Sequence, residues 1–176
     1  IVELAIKAKF QVPTRIALGN DQALREAFFL AADGKLKDAI DIVANHAASG
    51  SKVMCFTRRK RIARAIAGAL KAQGVNAKVV TGDVLFKKRL AIVDSQPDVI
   101  CCTMYSLKEG VDLSYVDVGV FVELDYVPST LLQVEGRQHR FGQTRPVLFQ
   151  YLIATGTADE IVKDVVVSKL AHFEKA

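Results

Sequence analysis

Residues 53–80 read VMCFTRRKRIARAIAGALKAQGVNAKVV, and this stretch decides the fold class. Its two ends, Val53–Phe56 and Ala77–Val80, are apolar runs of the length expected for strands that are buried on both faces. Between them, apolar residues recur at helical spacing: Ile62, Ile66, Ala69 and Leu70. Gly74 then ends the predicted helix. The order strand, helix, strand predicts two parallel strands joined by a right-handed crossover.

The alternation of strands and helices continues towards the carboxyl terminus. A helix is predicted over residues 84–94. Short apolar runs then predict three further strands, over Val99–Thr103, Val118–Leu124 and Val147–Ile153. Another helix is expected to begin near Pro128, and a capping box of Thr157 and Glu160 opens the last one. We therefore expect an α/β domain whose parallel sheet carries helices on both faces.

Towards the amino terminus the pattern is helical and then fades. One predicted helix, closed by Gly50, has an apolar stripe of Leu36, Ile40, Val43 and Ala47. An earlier one has Leu24, Ala27, Phe28 and Ala31. Residues 1–20 have little period and are interrupted at Pro13, so we expect an extension or inter-domain connector there. Residues 21–176 contain no linker-like composition and are predicted to form a single domain.

Composition narrows the class of protein. The chain has 176 residues, a size typical of one domain. Its apolar runs are far shorter than the roughly 20 residues that cross a bilayer, and no secretory signal is recognisable. We therefore expect an intracellular protein without a membrane segment. Cys55, Cys101 and Cys102 lie inside apolar runs without metal-ligand or redox spacing, which predicts buried thiols.

The net charge of +5 permits a polyanionic partner without requiring one. The cations form two groups: Arg58, Arg59, Lys60, Arg61 and Arg64 in the first, and Lys87, Lys88 and Arg89 in the second. Such groups are as typical of solvated helix faces as of nucleic-acid sites. Their location favours a site, because doubly wound sheets bind their ligands beyond the carboxyl ends of the strands.

Residues 133–143 read QVEGRQHRFGQ and decide the functional interpretation. Arg137 and Arg140 are three positions apart, so at the end of a helix they would lie on one face. A planar, permanently charged guanidinium suits bidentate contact with phosphate oxygens and stabilises charge on a phosphoryl group in transfer. The alternative for such a pair is a surface ion pair, here with Glu135.

This segment resembles the sixth motif of superfamily-two helicases, and its ending is similar to that of the Swi/Snf-related branch, which includes annealing helicases. The resemblance implies a RecA-like fold. It also implies that Arg137 and Arg140 are arginine fingers, which face the ATP γ-phosphate across a cleft between two domains. Gln133 and Gln143 are predicted to belong to the same nucleotide site. His139 lies within the motif, but a structural role is expected for it.

Earlier stretches resemble further motifs of this family, in the family's order. Phe56–Thr57, with Arg58 after it, is similar to motif four, and Gly82–Asp83 with Arg89 resembles a block that touches the translocating strand. Thr103 and the later stretch Gly110–Leu113 resemble motif five. The residues predicted to bind nucleic acid are therefore Thr57, Arg58, Gly82, Arg89 and Thr103. Those predicted to bind ATP, besides the two glutamines, are Gly110 and Asp112.

The chain lacks a Walker A sequence and an acidic pair after an apolar strand. ATP with Mg²⁺ would therefore be held mainly by a first RecA-like helicase domain, in the same chain or in another subunit. We predict no metal site within this chain and no ATPase activity from it alone. Closure of the two domains around ATP would step DNA, duplex or branched, through phosphate contacts that ignore its sequence.

Two functional hypotheses remain. The first is the second motor domain of an ATP-dependent DNA helicase or translocase. The alternative is a stand-alone RecA-like module that binds nucleic acid or a protein partner without ATPase activity. The set of Gln133, Arg137, Arg140 and Gln143 favours the motor, since binding alone would not need it. We expect the protein in the cytoplasm of a bacterial or viral host cell, or in the nucleus if it is eukaryotic.

Overall fold

A computed structural model of the chain describes residues 2–6, 29–107, 112–124, 146–160 and 163–164. These residues include a six-stranded sheet. Its strands are β1 (Val2–Ile6), β2 (Val53–Thr57), β3 (Ala77–Val80), β4 (Val99–Thr103), β5 (Val118–Phe121) and β6 (Leu148–Ala154). The helices are α1 (Leu36–Ala48), α2 (Lys60–Ala72) and α3 (Phe86–Asp94), with a 3₁₀ turn at Met104–Leu107. Residues 29–34 and 158–160 are also helical.

The strands are all parallel and lie in the order β1, β6, β5, β2, β4, β3. β2 is thus flanked by β4 and β5, and the last residues of β2 and β4, Thr57 and Thr103, are register partners. The chain leaves β2 towards the face that α2 covers, and it leaves β4 towards the opposite face, where Met104 is buried. A crevice at the carboxyl ends of β2 and β4 is where sheets of this kind bind ligands.

Each central strand is buried on both faces. In β2, Met54 and Phe56 pack into the core on the α3 side, while Val53 and Cys55 pack into the core beneath α1 and α2. This two-sided burial explains why the strands appear as continuous apolar runs in the sequence. The prediction of buried thiols is confirmed, because all three cysteines are free and buried.

An aromatic stack holds β2, β5 and β6 together on the α3 side of the sheet. The ring centroids of Phe56 and Phe121 are 4.7 Å apart, and those of Phe121 and Tyr151 are 4.8 Å apart. Stacked aromatic pairs add about 0.5–1.5 kcal/mol each beyond the area that they bury. The stack therefore holds β2 and β5 side by side, and the residues that follow these two strands make polar contacts with each other.

The five strands predicted from the sequence are present, with small shifts at their ends. β1 was not predicted. Val2–Ile6 lies within the stretch expected to be an extension, yet it pairs with β6, where Val2 is opposite Gln150. β1 is a strand because it pairs with β6, which is far away in the sequence. Local periodicity of apolar residues cannot reveal such a pairing. The helix predicted to begin near Pro128 lies outside the described residues.

The helix ends follow the predicted glycines. α1 and α2 both close in a Schellman motif, with Gly50 at φ +84° and Gly74 at φ +83° after their last turns. A side chain at these angles would be strained, so glycine is favoured there. The predicted cap at Thr157 also forms, although its hydroxyl accepts from the backbone N–H of Asp159, at 3.2 Å, one residue before the expected Glu160.

Candidate functional site

The residues predicted to bind nucleic acid come together at the carboxyl edge of the sheet. Thr57 ends β2, Thr103 ends β4, and Gly82 follows β3 by two residues. Because β4 lies between β2 and β3, these three positions lie along the edge of the sheet where folds of this kind are expected to have their ligand crevice. Motifs that are far apart in the sequence therefore lie at one edge of the sheet.

The two threonines are buried beneath the loops at this edge of the sheet. The Thr57 hydroxyl is fully buried, 3.1 Å from the carbonyl oxygen of Arg59 and 3.3 Å from that of Cys102. Thr103 is also buried, and its carbonyl accepts a hydrogen bond of 2.6 Å from the Ser106 hydroxyl. Both residues therefore stabilise the loops in the described structure, and their direct contact with nucleic acid stays a prediction.

The loop between β2 and α2 is held by Glu123, a residue that the sequence analysis missed. Its carboxylate accepts hydrogen bonds from the backbone N–H groups of Arg58, at 2.9 Å, and Arg59, at 3.1 Å. It also accepts one of 2.8 Å from Nε of Arg59. A charged residue inside the apolar run 118–124 was the available signal, since a buried carboxylate requires partners.

Arg58 and Arg59 consequently have different surroundings. The guanidinium of Arg59 lies 4.4 Å from the centroid of the Phe29 ring and donates to the Phe29 carbonyl oxygen at 3.3 Å. Because Arg59 makes these contacts and also binds Glu123, its side chain has a structural role. Arg58 is exposed directly after β2, and its contact with a phosphate stays a prediction.

The first basic group is partly neutralised by two aspartates. Asp33 pairs with Arg61 and lies 3.7 Å from Nη2 of Arg59. Asp83 pairs with Arg64 and lies 3.6 Å from Nζ of Lys60. Exposed pairs of this kind contribute little to stability because water screens them, so a phosphate can replace the aspartate.

Asp83 is held in its charged form by its surroundings. A hydrogen bond from the Thr81 hydroxyl is the largest cause, followed by a backbone hydrogen bond and the nearby charges of Lys60 and Arg64. Together they lower the pKa of Asp83 from 3.8 to about 2. Asp83 therefore stays an anion at the edge of the crevice throughout the neutral range.

Arg89 contacts the fold through three backbone carbonyls. Its guanidinium donates to Val84 at 2.6 Å, to Ser106 at 2.8 Å and to Gly82 at 2.9 Å. A guanidinium has five N–H donors, so two remain for a phosphate. Arg89 thus organises the loop at Gly82, and its predicted contact with nucleic acid is untested by these bonds.

Of the residues predicted to bind or act on ATP, the structure describes Asp112. Asp112 is exposed, and its Oδ1 accepts a hydrogen bond of 3.0 Å from the backbone N–H of Ser114. Five predicted residues lie outside the described part of the chain: Gly110, Gln133, Arg137, Arg140 and Gln143. Where the chain is described, no group of three His, Cys, Asp or Glu could hold a metal ion. Among the same residues, no helix is long and apolar enough to span a bilayer.

Comparison with known proteins places these features in a family. The model of the helicase conserved C-terminal domain matches residues 34–142. A Drosophila melanogaster protein, named SWI/SNF-related matrix-associated actin-dependent regulator of chromatin subfamily A-like protein 1, is 36% identical over 133 residues. The alignment covers 69% of this chain and 18% of that relative. Chromodomain-helicase-DNA-binding protein 1-like of Danio rerio is 32% identical over 143 residues, covering 79% of this chain and 14% of the relative.

Solved structures show the same fold. The C-terminal part of the Fun30 ATPase domain has a TM-score of 0.63 at 17% identity and covers 69% of this chain and 41% of that one. S. cerevisiae Dbp5 bound to RNA and ADP BeF3 has a TM-score of 0.61 at 21% identity, covering 74% and 36%. The expected RecA-like α/β fold is thus confirmed. The chain spans less than a fifth of the two curated relatives described above.

Proposed function

Because the chain belongs to the helicase conserved C-terminal domain family and has Swi/Snf-related relatives, we propose that it is the second motor domain of an ATP-dependent DNA translocase or helicase. The observation that carries the proposal is the convergence of Thr57, Gly82 and Thr103 on one crevice, with Arg58 exposed beside it. This is the arrangement expected of a surface that follows a phosphate backbone.

In this proposal the chain provides part of the track for DNA. Arg58 contacts a phosphate directly, while Glu123 and Arg89 hold the loops that border the crevice. Such contacts recognise charge and spacing, so binding does not depend on base sequence. DNA is the favoured polyanion because the relatives are named for chromatin or DNA binding.

The chain also provides the arginine fingers. Arg137 and Arg140 act on the γ-phosphate of ATP, which a first RecA-like domain holds with Mg²⁺. Gly110, Asp112, Gln133 and Gln143 complete the nucleotide site from this side. Domain closure brings the two halves together, because catalysis of phosphoryl transfer depends on positioning and on charge stabilisation. The chain alone is then inactive as an ATPase.

The nucleic-acid part of the proposal is tested by the salt dependence of binding. Each phosphate contact contributes roughly −0.9 to the slope of log K against log salt concentration on duplex DNA. Arg58→Ala should make the slope of duplex binding, measured by fluorescence anisotropy, shallower by about one. Lys71→Ala is the matched control, because Lys71 is exposed in the last turn of α2, which runs away from the crevice. Equal slopes for both variants, or salt-independent binding by the wild-type chain, would contradict the proposal.

A further inference from the structure

Three large apolar side chains are exposed at the carboxyl edge of β3 and β4. Leu85 is 70% exposed, Phe86 53% and Tyr105 48%. Leu85 and Phe86 lie at the start of α3, in the connection after β3, and Tyr105 lies in the 3₁₀ turn after β4. Because β3 and β4 are neighbours, all three lie at the edge that carries Gly82 and Thr103. Leu85, Phe86 and Tyr105 are called the apolar patch below.

Arg89 holds the two parts of the apolar patch near each other. Its guanidinium donates to the carbonyl oxygen of Val84 at 2.6 Å and to that of Ser106 at 2.8 Å. Val84 directly precedes Leu85, and Ser106 directly follows Tyr105. The connection after β3 and the turn after β4 are therefore bound to one planar group.

The local structure does not account for an apolar residue at the start of α3. Leu85 is the N-cap residue of this helix and makes no capping hydrogen bond with its side chain. Serine, threonine, aspartate and asparagine are favoured at an N-cap, because their side chains bind the free N–H groups of the first turn. A leucine that is mostly exposed also gains little from burial. A ligand therefore explains the apolar patch better than the stability of the fold does.

The surroundings of the apolar patch are cationic. Lys87 and Lys88 follow Phe86 and are exposed, and the first turn of α3 contains no acidic residue. Asp83 lies just before the patch in the sequence, but its carboxylate pairs with Arg64. Charge complementarity therefore favours a ligand that carries negative charge beside an apolar surface.

A nucleic-acid strand with unpaired bases has both properties. Its phosphates are negative, and the faces of its bases stack on exposed aromatic side chains. In a duplex these faces are covered by the neighbouring base pairs, and exposing one costs free energy. A protein partner fits less well, because a stable interface buries roughly 800 Å² on each side, more than three partly exposed side chains provide.

We infer that the apolar patch is a binding site for the unpaired bases of a nucleic-acid strand. Phe86 and Tyr105 are the stacking surfaces for the bases. Lys87 and Lys88 contact the phosphates beside them. This inference rests on the proposed function and extends it, because it adds unpaired nucleotides to the duplex phosphates that Arg58 is proposed to contact.

The experiment measures the affinity of the chain for three labelled ligands of equal length by fluorescence anisotropy at one salt concentration. The ligands are a single-stranded oligothymidylate, the same strand with abasic tetrahydrofuran sites, and a duplex. The abasic strand keeps the phosphates and lacks the bases. We expect the wild-type chain to bind the oligothymidylate about tenfold more tightly than the abasic strand.

Variants at Phe86 separate stacking from general apolar contact. Phe86→Ala should lower the affinity for the oligothymidylate about tenfold and leave the affinities for the abasic strand and the duplex nearly unchanged. Phe86→Leu should show the same loss, because leucine is apolar but has no aromatic face, whereas Phe86→Tyr should keep the wild-type affinity. Leu30→Ala is the matched control, since Leu30 is 54% exposed in the helical segment 29–34, outside the apolar patch.

The pattern of losses decides between the outcomes. A loss for the oligothymidylate alone in Phe86→Ala and Phe86→Leu, with unchanged unfolding temperatures, supports the site. Equal wild-type affinities for the oligothymidylate and the abasic strand overturn it, as do equal losses in Phe86→Ala and Leu30→Ala. In both of these cases the proposed function survives if duplex binding still weakens as the salt concentration rises. Failure of the wild-type chain to bind any of the three ligands overturns both.

Discussion

The guanidinium of Arg89 donates a hydrogen bond of 2.8 Å to the carbonyl oxygen of Ser106, and this bond joins the loop after β3 to the turn after β4. The same group binds the carbonyls of Gly82 and Val84. The Ser106 hydroxyl oxygen also lies 2.8 Å from the Val80 carbonyl oxygen at the end of β3, so its one proton is shared between the carbonyls of Val80 and Thr103. One side chain of α3 thus stabilises both loops on this side of the crevice.

Replacement of Arg89 should therefore lower stability. Arg89→Ala removes three hydrogen bonds from a charged donor, and we expect the free energy of unfolding to fall by about 1.5–3 kcal/mol. Lys88→Ala, an exposed change on the same helix, should stay within about 0.5 kcal/mol of wild type. Urea denaturation measures both. If the two variants were equally stable, the organising role of Arg89 would be wrong.

Asp83 predicts a dependence of stability on acid pH. Its pKa in the folded protein, about 2, is below the ordinary value of 3.8, so the stability that its charge contributes is present above about pH 4. That contribution is lost as the pH falls from about 4 to 2. Asp83→Asn should make the decline of unfolding free energy over this range shallower. Thr81→Ala removes the largest cause of the shift and should reproduce much of the change; unaltered pH profiles in both variants would refute the assignment.

Lys35, which lies between the helical segment 29–34 and α1, forms a buried ion pair with Asp159 in the helical segment after β6. Nζ of Lys35 binds the Asp159 carboxylate and the Leu152 carbonyl, the latter at 2.9 Å. Burial is the main cause that lowers the pKa of Lys35, and the charge of Asp159 opposes it. Each of the two buried charges is therefore stabilised by the other, which offsets the cost of removing it from water.

Breaking this pair from one side should be costly. We expect Asp159→Ala to destabilise the fold by about 3–5 kcal/mol, because it leaves a buried ammonium without its counter-charge. Combined with Lys35→Met, the cost should be clearly less than the sum of the single changes. Asp41→Ala, which breaks the exposed pair with Lys37, should change the free energy of unfolding very little. Additive costs in the buried pair would contradict this account.

The fold was largely predictable because its signal is local. Strands such as Val99–Thr103 are buried on both faces, so each one stands out as a short apolar run bounded by turn residues. β1 is the exception, since its place in the sheet depends on pairing with β6 near the other end of the chain. Sequence periodicity carries no information about such a partner.

The sequence predicted where the candidate site residues lie in the fold, but it did not predict their contacts. The order of strands and motifs correctly brings Thr57, Gly82 and Thr103 to one edge. The partners of the charged residues could not be foreseen, because they come from distant segments: Glu123 binds Arg59 across 64 positions, for example. For the same reason the sequence did not show that two arginines of α2 pair with aspartates, Arg61 with Asp33 and Arg64 with Asp83. These pairs make the basic group less available to a phosphate than the sequence suggested.

The central claim is that this chain supplies arginine fingers to a two-domain motor. In that role, Arg137 and Arg140 act on charge that develops in the transition state, whereas the first domain provides most of the ground-state affinity for ATP. Alanine at either position should therefore leave nucleotide affinity nearly intact while hydrolysis collapses. Lysine should not restore activity, because it lacks the planar fork of the guanidinium.

The most direct measurement is DNA-stimulated ATP turnover by Arg137→Ala and Arg140→Ala in the complete two-domain protein, with nucleotide affinity and thermal unfolding measured alongside. The account predicts a loss of about 10³–10⁵ in rate, roughly 4–7 kcal/mol, with an intact fold and little change in affinity. Turnover within about threefold of wild type in both variants, a difference under 1 kcal/mol, would contradict it and favour a structural ion pair or a binding module without ATPase activity.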